Sequence, residues 1–148
     1  METIRTMMKD SIFEVFEKMF FVFLEEDENA PVNYDMEAFI DFTSIISGRM
    51  RLLFDGDLLR TMTRNMLNMD DDDDVSEETL ADCAREAVNM VCGNFLTKID
   101  ASDKFSLSVP RYMDVDASHS FFDDAEHRAI LVSASGNLGV VVDVTPHG

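Results

Sequence analysis

Positive charge is scarce in this chain: 12 Lys and Arg stand against 30 Asp and Glu over 148 residues, a formal net charge of −18. Nucleic acid would repel such a surface, and so would an anionic membrane. Asp70 to Asp74 make part of the imbalance local, and the rest favours protein partners or small ligands carried by a protein. Cysteine is scarcer still. Cys83 and Cys92 are the only two, and on one helix they lie too far apart to bridge. Two reduced thiols suit a cytosolic protein. The longest apolar run, Met19 to Leu24, is far too short to span a bilayer. Met1-Glu2-Thr3 lacks the basic start and apolar stretch of a secretory signal. These absences lead to the expectation of a cytoplasmic protein. Also missing are a glycine-rich phosphate loop and a Gly-x-Ser-x-Gly elbow. His119, His127 and His147 have no metal-ligand spacing, with one another or with the cysteines. The Asp70 to Asp74 run lacks the glycine of an EF-hand loop, and its twelfth position is Ala81, so it reads as a solvated loop.

What is present is enough apolar material for a core. Hydrophobic residues make up 46%, too many for disorder, and the length fits one domain over residues 1–148. From Thr3 to Glu25, Ile4, Met7, Met8, Ile12, Val15, Phe16, Met19 and Phe23 recur at spacings that predict a long amphipathic helix. Asn29 to Asn33, with Pro31 at its centre, breaks it. Ala38 to Ile46 and Met50 to Asp55 read as strands joined by a hairpin turn at Ser47-Gly48. Helical spacing returns from Asp57 to Leu67, and Met62, Met66 and Met69 are read as core filling. A further helix starts at Ser76, the N-cap, and runs to about Lys98. Phe105 to Val109 alternates as a strand that ends at Pro110. Ala129 to Ala134 and Leu138 to Val144 form a hairpin about Gly136-Asn137. Val140-Val141-Val142 could lie at a sheet edge or pair with a second subunit. The expected class is α+β, an antiparallel sheet with long helices packed against it.

The helix from Ser76 to Lys98 is the most informative segment. Asp82, Glu86, Asn89 and Gly93 follow spacings of four, three and four. At roughly 100° per residue they cluster within about 60° on one face. Leu80, Ala84, Ala87, Val91 and Phe95 centre on the other, so the first stripe is presented to solvent and the second is buried. A Glu and an Asn on a solvated helix face are unremarkable alone. Joined by Asp82 and by a glycine that permits close approach, they form a candidate site.

Asp82-x3-Glu86-x2-Asn89, followed some twenty residues later by Pro110, resembles the signature of the CheC/CheX chemotaxis phosphatases. That signature is Asp or Ser, three residues, Glu, two residues, Asn, then a proline, here at a slightly shorter spacing. Met90, Gly93 and Lys98 resemble the CheX branch. The resemblance implies that the chain removes the phosphoryl group from the aspartate of CheY-like receivers. Asn89 would position the attacking water and Glu86 would contact the receiver lysine, with Asp82 and Gly93 meeting the docked partner. It implies no cofactor or metal on this chain, Mg²⁺ on the receiver, and a capacity to form homodimers. Some CheC relatives carry a second motif. Asp10-x3-Glu14-x2-Glu17 echoes its spacing, but a carboxylate at Glu17 would repel a phosphoryl group, so one site is counted. Two rivals stay open. One is a non-catalytic binding module of the flagellar-switch type, and the other is an adaptor that holds and protects the phosphorylated receiver.

Overall fold

The structure, a computed structural model, describes residues 3–31, 33–102, 104–115 and 125–145. Among these, three helices, α1 (Ile4–Met19), α2 (Gly56–Met66) and α3 (Glu77–Ile99), cover one face of a seven-stranded antiparallel sheet. The strands are β1 (Glu25–Glu26), β2 (Met36–Thr43), β3 (Ser47–Phe54), β4 (Ser106–Leu107), β5 (Arg111–Asp114), β6 (His127–Ser133) and β7 (Gly136–Thr145). Their order is β1-β6-β7-β3-β2, with β4 and β5 both pairing with the outer side of β2. This is the expected α+β class. Among the described residues, no helix is long and apolar enough to cross a membrane.

The core follows from alternation on the central strands. Ala38, Ile40, Phe42, Met50, Leu52, Val140 and Val142 face the helices. Leu53, Ile130 and Val141 face the other way and pack with Tyr34 beneath Ala30, Val115 and Ala125. The three valines therefore do not form an edge. β7 lies between β6 and β3, and a strand buried on both faces reads as a continuous apolar run.

Several boundaries depart from the sequence expectation. α1 stops at Met19 because Phe21 takes a left-handed conformation (φ 55°) and the Val22 N–H turns back to the Phe16 carbonyl at 3.0 Å. Beyond it, Phe20, Val22 and Leu24 are buried while Phe21 and Phe23 are exposed, a two-residue period that leads into β1. The first hairpin turns at residues 44–46, with Ser47 and Gly48 inside β3. A Cβ at Gly48 would lie 2.0 Å from the Asp143 carbonyl oxygen, so this glycine serves close strand approach rather than a turn. The second hairpin turns at Ala134-Ser135, and Gly136 (φ 144°) opens β7. The strand expected over Phe105 to Val109 is reduced to β4, and a further strand not expected from the sequence, β5, follows Pro110.

Candidate functional site

α3 begins as its sequence requires. The Ser76 side chain accepts from the Thr79 N–H at 3.2 Å, Glu77 and Glu78 occupy the first turn, and Lys98 the last. Leu80, Ala84, Ala87, Val91 and Phe95 are buried, with none above 2% exposure. On the opposite stripe Asp82 and Glu86 are exposed, while Asn89 and Gly93 are half-buried. The division into faces is as expected. A Cβ added at Gly93 would meet nothing within 4 Å, so the glycine answers no packing need inside this chain.

Pro110 reaches this stripe through a β-bulge. Leu107 and Arg111 are four residues apart on β4–β5, whereas their partners Phe42 and Phe39 on β2 are three apart. The extra residue arches the chain outward. Asp41 anchors the arch: its N–H donates to Ser108 Oγ, and its carbonyl accepts from the Ser108 N–H, both at 2.9 Å. Proline costs no ladder bond at such a position. The arch brings Val109, 81% exposed, and Pro110 against Asp82, Arg85, Glu86 and Asn89, enclosing a cleft of about 440 Å³.

A larger groove, about 710 Å³, continues from Asn89 and Gly93 along α3 to Lys98, Phe105 and Leu107, with Glu14 of α1 on its far side. Lys98 Nζ donates to Glu14 Oε2 at 2.9 Å, and this bond holds the Glu14 carboxyl below the usual carboxylate value despite some desolvation. Glu14, the acid of the echo on α1, is thus engaged within the chain, by Lys98 and by Lys18 at 3.4 Å. Among the described residues no group of three or more His, Cys, Asp and Glu side chains could hold a metal. Asp70 to Asp74 form an exposed turn in which Asp73 Oδ2 accepts from the Asp70 N–H. His127 sits beside Glu126 at 3.4 Å, and His119 and His147 lie outside the described residues.

Two participants escaped the sequence reading. Arg85 donates to Asp82 Oδ1 at 2.5 Å and lines the cleft one turn before Asn89. Its spacing from both was a readable signal, because residues three and four apart are helix neighbours. Val109 left no such signal, since the bulge that exposes it is a tertiary feature.

An exposed Glu86 and a half-buried Asn89 share an open cleft at the surface of a sheet layered with helices, not an enclosed pocket. A family model described as "Chemotaxis phosphatase CheX" matches residues 36–128, and the chain belongs to that family. No curated protein matches it in sequence. Among solved structures, the chemotaxis protein CheX from Vibrio vulnificus is similar at 20% identity and TM-score 0.77, covering 97% of each chain. The CheX-CheY-BeF3-Mg+2 complex from Borrelia burgdorferi is similar at 15% identity and TM-score 0.69, covering 95% of this chain and 96% of that one. Thermotoga maritima FliY is similar at 12% identity and TM-score 0.62, covering 93% and 85%. These likenesses establish the shared fold.

Proposed function

We propose that this chain hydrolyses the aspartyl phosphate of a CheY-like receiver domain, with Asn89 and Glu86 carrying the reaction. The supporting observation is the stripe on α3, where an exposed Glu86 and a half-buried Asn89 share one cleft with Pro110. On the receiver, Mg²⁺ and a lysine already neutralise the phosphoryl charge, so what is lacking is an ordered nucleophile in line with phosphorus. A side-chain amide offers a donor and an acceptor and orders water without being a base. Glu86, one turn earlier, pairs with the receiver lysine and sets the register of docking. Asp82 and Gly93 border the contact. Open space over Gly93 lets the partner approach the backbone of α3.

The experiment is phosphate release from a receiver encoded in the same genome, supplied with Mg²⁺ and a small phosphodonor. Catalytic amounts of the chain should accelerate release, and chelating Mg²⁺ should stop it. Asn89→Ala should lower turnover by about 10²-fold or more with docking little changed. Glu86→Ala should weaken both. No acceleration with any such receiver would overturn catalysis and leave the binding-module reading. Loss of docking in Asn89→Ala with no effect of Glu86→Ala would overturn the two roles.

A further inference from the structure

We propose that Arg85 is the residue by which this chain distinguishes a phosphorylated receiver from an unphosphorylated one, its guanidinium leaving Asp82 to bind the phosphoryl anion. The inference rests on the receiver-phosphatase reading above and adds a specificity determinant to the same cleft. Three observations carry it.

Arg85 and Asn89 are four residues apart on α3, so their side chains are neighbours, and both line the cleft closed by Pro110. Whatever Asn89 addresses lies within reach of the longer Arg85 side chain. Charge is the second observation. Asp82 and Glu86 line the same cleft, and both would repel a phosphoryl group. Arg85 is the one cation lining it among the described residues, whereas Lys98 lines the neighbouring groove and is held by Glu14. An anion entering a cleft with two carboxylates needs a counter-charge, and a guanidinium supplies two parallel donors that match phosphoryl oxygens. The third is availability. The Arg85–Asp82 pair is a surface i,i+3 contact, with side chains 36% and 66% exposed, and such pairs hold weakly. Asp82 parks the guanidinium at the cleft mouth and releases it cheaply.

The test measures binding of a CheY-type receiver from the same genome in two states, with Mg²⁺ alone and with Mg²⁺ plus beryllium fluoride as the phosphoryl stand-in. Wild type and Asn89→Ala should prefer the loaded state. Arg85→Ala should weaken binding of the loaded state by about tenfold or more, the equivalent of a charge-assisted hydrogen bond, and of the Mg²⁺ state by less than about twofold. Arg85→Lys keeps the charge without the fork and should recover part of the preference. Arg85→Ala should melt within about 2 °C of wild type. Should it unfold, Arg85→Gln keeps the stem and carries the same expectation. Equal weakening of both states, or of neither, overturns the inference. If wild type releases phosphate, Asn89→Ala does not, and Arg85→Ala still prefers the loaded receiver, only the role of Arg85 falls. If wild type neither hydrolyses nor prefers the loaded receiver, the underlying reading falls with it.

Discussion

Asn89 and Phe95 lie on the same helix with opposite demands. Phe95 is fully buried with its ring 6.1 Å from that of Phe42, while Asn89 sits half-buried at the cleft. Phe95→Ala should therefore cost about 3 kcal/mol or more in denaturant unfolding, because the core cannot collapse fully around the cavity. Asn89→Ala should cost no more than about 0.5 kcal/mol. If the two variants unfold alike, Asn89 is a packing residue and the site is misplaced. Gly93 supplies a second contrast. Its missing side chain leaves open space, so Gly93→Leu should fold at least as well as wild type, helped by the better helix propensity of leucine. The same variant should block receiver dephosphorylation, and melts beside rates would check both halves. The thiols give a pH prediction. Burial pushes Cys83 up to about 11 and Cys92 to about 12. Because the folded values lie above the ordinary thiol value of 9.0, this contribution to stability is complete below pH 9.0 and fades as pH rises toward them. At about pH 8, near the free-thiol value, iodoacetamide should leave both thiols unmodified in the native protein and alkylate both in urea.

At the scale of elements, α1 bears an acid pattern similar to that of α3, and packing decides what it does. Glu14 is committed to Lys98 and Lys18, so it ties α1 to α3 rather than addressing a partner. Glu14→Gln should leave the phosphatase rate within about threefold of wild type, as expected for a residue that only positions the helices. A loss as large as that of Asn89→Ala would make α1 part of the site. The elements were legible where a single period ran long. α3 and its two faces could be read because every residue that defines them lies on one helix. Met19 to Leu24 could not, since six consecutive apolar residues satisfy both a helical and a two-residue period, and the turn at Phe21 settles the choice. Gly48 misled for a related reason. A glycine signals either a turn or a close backbone approach, and only the presence of β7 beside it shows which applies. Pro110 was expected near the site by resemblance, but its route there through the bulge opposite Asp41 depends on pairing with a strand nearly seventy residues away.

At the scale of the whole molecule, the surplus of acid dominates. Arg5 is paired with Glu26 and Glu28, Arg49 with Asp41, Arg60 with Asp57 and Lys98 with Glu14, yet 30 acids against 12 bases leave a formal surplus of −18. Self-repulsion of this kind destabilises the compact state. Added salt acts on two opposing terms. It weakens the surface pairs, each worth at most about 1 kcal/mol, and it screens the repulsion among the uncompensated acids. With a formal charge of −18 the second term is the larger, because the repelling charges outnumber the paired ones. Raising sodium chloride from about 0.02 M to about 0.5 M, which shortens the screening length several-fold, should therefore raise Tm by several degrees. Calorimetry at fixed pH near 7 would measure it. A fall in Tm would mean that the ion pairs outweigh the surplus, and that the acidic surface is arranged to be locally neutral despite its net charge.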